Sequence, residues 1–321
     1  MTVLEAIQKG ADFLAKKGVE SPRLQTELLL AHLLKMPRMN LYLNFARALT
    51  PGETDALREL VKRRGQREPL QHIIGSTFFC DLEIAVNRYA LAPRPETELL
   101  AELGWQFLAG RADLPVGQDA QQRAPTIALD LGTGTGCIAI ALAVKCPGAK
   151  ITATDISADA LALARENAAR NGVAKRIEFL QGAGFAAVTE RWGERPREPV
   201  LADGHHGSPG VSPHQFDLII SNPPYIPSAE IATLQPEVRD FDPRAALDGG
   251  VDGLDFYRLL ASHAAAFLKS SGRVMLEFGD GQAEAVRKIF EAEKWIVEAV
   301  KEDYSQRARI LIAKSSSASS S

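Results

Sequence analysis

Ten residues, Ala128-Leu129-Asp130-Leu131-Gly132-Thr133-Gly134-Thr135-Gly136-Cys137, set a carboxylate and three closely spaced glycines at the end of an apolar run. An apolar strand that breaks into glycines and then into a helix brings bare backbone against a ligand. A dinucleotide is the obvious occupant of such a turn, but two details oppose it. The spacing is G-x-G-x-G, with Cys137 where the third glycine of G-x-G-x-x-G would fall. Asp130, two residues ahead of the first glycine, would repel a pyrophosphate and suits a ligand bearing an ammonium and a sulfonium. S-adenosylmethionine (SAM) is such a ligand. Asp155 then closes the next apolar run, 23 residues after Gly132, where a carboxylate would accept two ribose hydroxyls. Asp130, Gly132, Thr133, Gly134, Thr135, Gly136 and Asp155 are therefore the expected SAM-binding residues. No metal is expected: His205, His206 and His214 have no Cys, and no carboxylate beyond Asp203, at ligand spacing.

The second candidate is Phe216-Asp217-Leu218-Ile219-Ile220-Ser221-Asn222-Pro223-Pro224-Tyr225. Two prolines fix the backbone as the strand ends, and neither offers an N–H, so the loop's carbonyls are expected to face the cleft. Asn222 adds a side-chain oxygen and Tyr225 a flat face. That set suits a planar NH₂ group, one hydrogen going to the Asn222 oxygen, the other to the Pro223 carbonyl, with Tyr225 on the plane. Such a nitrogen shares its lone pair with a π-system and attacks poorly. Two acceptors holding its hydrogens orient it, favour pyramidalisation and stabilise the positive charge that grows there. Asn222, Pro223 and Tyr225 are the expected catalytic group.

The surrounding pattern must place these two loops together. From about residue 95 the chain alternates strands, near 126–131, 150–154, 176–180, 216–221, 273–278, 295–300 and 309–313, with helices near 96–108, 137–145, 158–171, 254–268 and 283–291. This is a doubly wound α/β sheet of seven strands, which holds ligands at the carboxyl ends of its strands near the switch point. Residues 2–70 read instead as short helices. Thr2 with Glu5 and Thr50 with Glu53 make capping boxes, and Ser21-Pro22 reads as an N-cap with proline at the first helical position. Phe78–Val86 alternates like a β-hairpin. Residues 1–72 are thus an expected all-helical domain, 73–95 a β-hairpin linker, 96–314 the catalytic domain and 315–321 a disordered Ser-rich tail. The Pro-, Gly- and His-rich stretch Glu194–His214 reads as a surface insertion.

Composition excludes several classes. The 321 residues are 45% hydrophobic and 24% charged, ordinary for a globular chain, and no apolar run approaches the ~20 residues of a membrane span. The N-terminus lacks the layout of a signal peptide, and three cysteines without a C-x-x-C give neither a disulfide framework nor a zinc site. A cytoplasmic location is expected, with no membrane partner. Residues 1–75 carry 12 Lys and Arg against 8 Asp and Glu on a chain of net charge −3, so the helical module is basic and the rest acidic.

The two loops together resemble N-methyltransferases that act on planar amines: DNA adenine, some RNA bases, and glutamine side chains. Other segments choose among these. Pro93-Arg94-Pro95-Glu96-Thr97-Glu98, Glu68-Pro69-Leu70-Gln71-His72-Ile73-Ile74-Gly75, Gly18-Val19-Glu20-Ser21-Pro22-Arg23-Leu24 and the stretch from Asn222 to Leu259 are similar to the peptide chain release factor N5-glutamine methyltransferases, the HemK family. The stretch includes Asp242-Pro243-Arg244-Ala245-Ala246-Leu247-Asp248-Gly249-Gly250 and Asp252-Gly253-Leu254. The resemblance covers about residues 1–314. It implies a SAM-dependent methyltransferase whose substrate is the glutamine of the Gly-Gly-Gln loop of release factors. Residues 132–136, Asp155 and Asn222 would then bind SAM, and Asn222, Pro223, Pro224 and Tyr225 the glutamine amide. Arg94–Glu98 would line the cleft, and the N-terminal helices would grip the release factor. A sibling family that methylates a ribosomal-protein glutamine shares the amide loop but is expected to differ at Pro93–Glu98. A nucleic-acid adenine methyltransferase would need a strongly basic recognition domain, so no stable nucleic-acid partner is expected. A SAM-binding scaffold without turnover is the non-enzymatic alternative. The chain departs from the family at Leu180-Gln181-Gly182-Ala183-Gly184-Phe185, which lacks the usual acid near the adenine; Phe185 or backbone groups are expected to replace it.

Overall fold

Thr2 and Thr50 each begin a helix by the reciprocal cap their spacing predicts. Glu5 N donates to Thr2 Oγ1 at 3.2 Å while Thr2 N donates to Glu5 Oε2 at 2.8 Å, and Thr50 with Glu53 repeats the pair at 3.2 and 2.9 Å. These caps start α1 (Val3–Lys16) and α4 (Pro51–Gly65); between them lie α2 (Pro22–Leu33) and α3 (Arg38–Leu43), and α5 (Leu70–Ile74) follows. Ser21 behaves differently from its sequence signature. Its backbone is left-handed, with φ 47°, and its side chain makes no cap, so Pro22 alone marks the start of α2. Val3, Ile7, Leu14, Leu29, Leu30, Leu41, Leu57 and Val61 close one apolar core. The computed structural model describes residues 1–112, 125–192 and 216–316, so the 194–214 insertion with its three histidines, and residues 317–321, lie outside the described residues.

The chain forms two compact units, and the helical one is discontinuous: Met1–Thr77, Val86–Arg88 and Thr233–Asp242. Glu237 fastens the last segment, reaching Arg64 Nη2 at 2.8 Å and Arg67 Nη2 at 2.6 Å. Arg64 is only 5% exposed, so this pair is sheltered from the screening that weakens surface bridges.

A two-stranded sheet, β1 (Ser76–Phe79) and β2 (Leu82–Ala85), turns through Cys80 and Asp81, both left-handed. The larger unit then runs α6 (Pro95–Ala112), β3 (Ile127–Leu131), α7 (Cys137–Lys145), β4 (Lys150–Asp155), α8 (Ala158–Arg170), β5 (Ile177–Gln181), α9 (Ala186–Trp192) and β6 (Phe216–Ser221). The one-turn α10 (Pro236–Arg239), which belongs to the helical unit, comes next. After it follow α11 (Asp255–His263), β7 (Leu268–Glu277), α12 (Ala283–Ala292), β8 (Trp295–Glu302) and β9 (Ala308–Ser315). The sheet order is β5-β4-β3-β6-β7-β9-β8, all parallel except β9.

This is the expected doubly wound, seven-stranded methyltransferase sheet, with its order reversing between β3 and β6. The central strands are apolar on both faces, as a parallel sheet covered twice requires. Ala128, Leu218 and Ile220 enter the core shared with α6 and α7, whereas Leu129, Leu131 and Ile219 enter the one shared with α11 and α12. Several elements differ from expectation. The helix expected to reach Leu268 stops at His263 and tightens into a 3-10 turn over Ala264–Phe267, because β7 starts early and Leu268 already pairs with Phe216 as strand. Helices α9 and α10 have no expected counterpart.

Candidate active site

The glycine loop leaves β3 at the switch point. Gly132, Gly134 and Gly136 all have positive φ (71°, 55° and 82°), and a Cβ on Gly136 would sit 3.0 Å from that of Ala164. The loop is tied down by its own neighbourhood. Thr133 N donates to Thr154 O at 2.9 Å, Gly134 N to Asp155 Oδ2 at 2.9 Å, and Thr133 Oγ1 to Asp130 Oδ2 at 2.6 Å. Asn167, fully buried on α8, donates to Thr135 O at 3.0 Å and exchanges both amide bonds with Ala85. Nothing in the sequence marked Asn167; it reads as one more polar residue in a helix.

Asp130 lies under this loop, not on the cavity wall. It is wholly buried, and burial pushes its carboxyl up to about 7 against the opposing bonds from Thr133 and the Ala139 amide. Both bonds go to Oδ2. Oδ1 is buried with no hydrogen-bond partner. A lone acceptor oxygen beneath a bare glycine turn fits a ligand that brings a cation or donor. Asp155 Oδ1 accepts from Ser157 N at 2.9 Å, which fixes the carboxylate at the tip of β4. An orphaned acceptor beneath a glycine turn and a fixed carboxylate at the next strand tip fit SAM.

Asn222 follows β6 directly. Its Nδ2 donates to Thr97 Oγ1 at 3.0 Å, and Thr97 Oγ1 donates to Glu277 Oε2 at 2.7 Å. Glu277 is 3% exposed and its carboxyl is pushed up to about 7, chiefly by burial. The remainder of the loop is gripped from behind. Gln282 Nε2 donates to Tyr225 O at 2.9 Å, and a Cβ on Gly253 would fall 2.3 Å from that same oxygen. A Cβ on Gly279 would lie 2.9 Å from the Tyr225 ring, and one on Gly249 would lie 2.9 Å from Pro224 O. The expectation that the loop's carbonyls face the cleft therefore fails at Tyr225, whose carbonyl is taken by Gln282. The Tyr225 ring packs against the α11–α12 core, and burial pushes its hydroxyl up to about 12.

A cavity of about 420 Å³ opens at the carboxyl ends of β3, β4, β5 and β6, within the range of small-molecule sites. Gly132–Thr135, Asp155, Asn222 and Pro224 lie in its wall; Asp130, Gly136, Pro223 and Tyr225 do not. From the segment expected to line the cleft, Arg94 and Thr97 do so. Glu98 instead accepts from Cys80 N at 2.9 Å. Ile156, 61% exposed beside Asp155, adds an apolar wall that the sequence did not single out. Phe185 is displaced from its expected role. Its ring stacks on Phe267 at 4.8 Å inside the core, and Gly182, Ala183 and Gly184 form the wall there.

Residues 5–75 match the PrmC N-terminal domain and residues 118–193 the Methyltransferase small domain. The chain is 42% identical over 291 residues to the release factor glutamine methyltransferase of Geobacter sulfurreducens, covering 90% of this chain and 88% of that protein. The chain belongs to the release factor glutamine methyltransferase family. Further members are similar: the Chlorobaculum tepidum protein at 42% identity (88% and 87% covered) and that of Rhodospirillum rubrum at 38% (96% and 83%). The family match thus spans the helical unit and the sheet with its two loops. Among the described residues no helix is long and apolar enough to cross a membrane, and no cluster of three His, Cys, Asp or Glu side chains could hold a metal ion.

Proposed function

We propose that this enzyme transfers a methyl group from SAM to the side-chain amide nitrogen (N5) of the glutamine in the Gly-Gly-Gln motif of peptide chain release factors, in the cytosol. The observation that carries this is the meeting of two loops at one cavity. The glycine turn over an orphaned carboxylate oxygen faces, across the switch point, the rigid loop that opens with Asn222. When bound, SAM supplies a methyl on a sulfonium, the C–S bonding pair staying with sulfur as the acceptor's lone pair forms the new C–N bond.

The chain's own residues orient and stabilise. Asp130 and the 132–136 backbone take the amino-acid end of the cofactor, and Asp155 the ribose. Asn222 presents its side-chain oxygen to one hydrogen of the glutamine NH₂ and the Pro223 carbonyl takes the other, while Pro224 lines the amide site and Tyr225, packed against the core, supports the loop from behind. Two fixed acceptors hold the nitrogen in line and offset the positive charge that develops on it. The methylated nitrogen is strongly acidic and sheds its extra proton to water, so no strong base is required. The basic helical unit, which matches the PrmC N-terminal domain, grips the body of the release factor.

Methyl transfer from labelled SAM to purified release factor tests the assignment, beside a factor whose Gly-Gly-Gln glutamine is changed to alanine. Label on the intact factor alone is expected; label on ribosomal protein or duplex DNA would keep the chemistry and discard the substrate. Asn222→Ala is expected to lower kcat about 100- to 1,000-fold while SAM affinity changes little. Equal losses in both would make Asn222 a cofactor contact only.

A further inference from the structure

Glu277 is a buried acid that the methyl-transfer scheme does not use. It ends β7 beside β6, where Ser221 pairs with Leu276, so the next residues along, Asn222 and Glu277, are neighbours across the ladder. Thr97, 3% exposed in the first turn of α6, stands between them. The Thr97 hydroxyl gives its single hydrogen to Glu277 Oε2 and receives one from Asn222 Nδ2. Asn222 also favours the ionised form of the Glu277 carboxyl, against the burial that raises it. The backbone carbonyl of Glu277 is held by the Tyr257 hydroxyl at 2.9 Å, which fixes the strand end that carries the acid.

The direction of these bonds has a consequence. An amide side chain can be turned over, exchanging an acceptor oxygen for a donor NH₂ at nearly the same place. Only the orientation with Oδ1 toward the cavity can accept from a substrate NH₂. An ionised carboxylate is acceptor-only, so it claims the Thr97 hydrogen and leaves Thr97 only lone pairs for Asn222. A turned-over Asn222 would then set its oxygen against those lone pairs and against the carboxylate.

We infer that Glu277, through Thr97, fixes which end of the Asn222 amide faces the methyl acceptor, making both positioning residues for the reaction. The inference rests on the methyltransferase assignment above. A protonated Glu277 could donate to Thr97, whose hydrogen would then be free to turn toward Asn222 Oδ1, and the amide would lose its fixed sense. The charged and titratable groups around Glu277 are Glu96 from α6, Arg309 from β9, Tyr225 from the loop after β6 and Tyr257 from α11. Glu96 raises the carboxyl and Arg309 lowers it, but burial dominates, so the change of state falls at about 7. The competent sense of Asn222 is secured above that pH and released below it.

Two measurements test this on the full chain. In ¹⁵N-labelled protein without ligand, the side-chain NH₂ pair that disappears in Asn222→Ala is followed from acid to alkaline pH. It is expected to shift with a midpoint near 7 in the wild type and to stay flat in Glu277→Gln; a pair that behaves identically in both would overturn the inference without any appeal to activity. In the second, Thr97→Val is assayed for methyl transfer to release factor. Its kcat should fall about 10- to 100-fold with SAM affinity within about twofold, and Thr97→Ser should recover most of the loss. The acid limb of kcat should be missing in Glu277→Gln. A Thr97→Val enzyme with normal kcat, beside an inactive Asn222→Ala enzyme, would discard the positioning role and keep the methyltransferase. An Asn222→Ala enzyme with normal kcat would discard the methyltransferase assignment of this loop, while the NMR titration would still decide the polarity of the amide.

Discussion

The loop after β3 and the loop after β6 leave neighbouring strands at the same end of the sheet, and they are held by opposite means. The first is soft backbone, with three glycines in left-handed conformations, stiffened mostly by its own strand and the next, through Asp130, Thr154 and Asp155, with Asn167 reaching it from farther along. The second is stiff by covalent structure at Pro223 and Pro224, yet its position is set by residues far along the chain, Thr97 on one side and Gly249, Gly253, Gly279 and Gln282 on the other. Under the proposed function the difference makes sense. A loop for a flexible cofactor can be built mostly from local bonds, whereas a loop that aims one amide at a reacting nitrogen needs its direction imposed from several elements at once.

Disturbing the remote support should therefore hurt turnover far more than cofactor binding. Gly253 has φ 75° and no room for a Cβ, which would press on Tyr225 O. Gly253→Ala is expected to shift the loop and lower kcat about 10- to 100-fold, with SAM affinity within about threefold. A parallel fall in SAM affinity, measured by calorimetry, would mean the two loops are not supported independently.

The first loop should answer to pH instead. Asp130 titrates at about 7 in the folded chain against a reference of 3.8, so it is protonated in acid and must ionise in burial as pH rises. The sign for stability is that of a raised pKa: this carboxyl favours the ligand-free fold below its unfolded value, and that benefit is lost as pH climbs through about 7. Under the proposed function cofactor affinity should run the other way, because the ammonium of SAM would be attracted to the ionised form. The SAM Kd should weaken by roughly tenfold per pH unit at most as pH falls below that point, and Asp130→Asn should weaken it and flatten the profile. Asp130→Asn should also raise the ligand-free Tm at pH 8. An unchanged profile in the variant would remove Asp130 from cofactor binding.

The smallest effect belongs to Phe185. Phe185→Leu should lower stability by about 1 kcal/mol, roughly 2–4 °C in Tm, through its lost stack on Phe267, and leave the SAM Kd unchanged. A weakened Kd would return the ring to the cofactor site.

The same contrast explains what the sequence could disclose. Asp130, the glycines and Asp155 are legible because their contacts stay within one strand–turn–helix unit and the next strand, so spacing alone encodes them. Asn222 and its prolines are legible as a motif, but the atoms that aim them are not. Thr97 reads as part of a cleft-lining segment and Glu277 as the end of a strand; the β6–β7 ladder brings Glu277 beside Asn222, and the packing of α6 sets Thr97 between them. Asn167 and Gln282 carry no local signature at all. Phe185 misled for the complementary reason: its place in the sequence, just past β5, suggested the cofactor, while the stack on Phe267 that removes it depends on a residue just before β7.

The discontinuity of the helical unit bears on how such proteins can be recombined. The backbone passes between the two units at Thr77, Ala85, Arg88, Ala232 and Asp242, so no single cut separates them. Replacing residues 1–77 with those of another family member would leave Glu237 facing whatever stands in place of Arg64 and Arg67. A graft of the helical unit must carry Thr233–Asp242 with it. The helical unit is thus written in three places along the gene, and substitutions at Arg64 or Arg67 constrain what position 237 can accept.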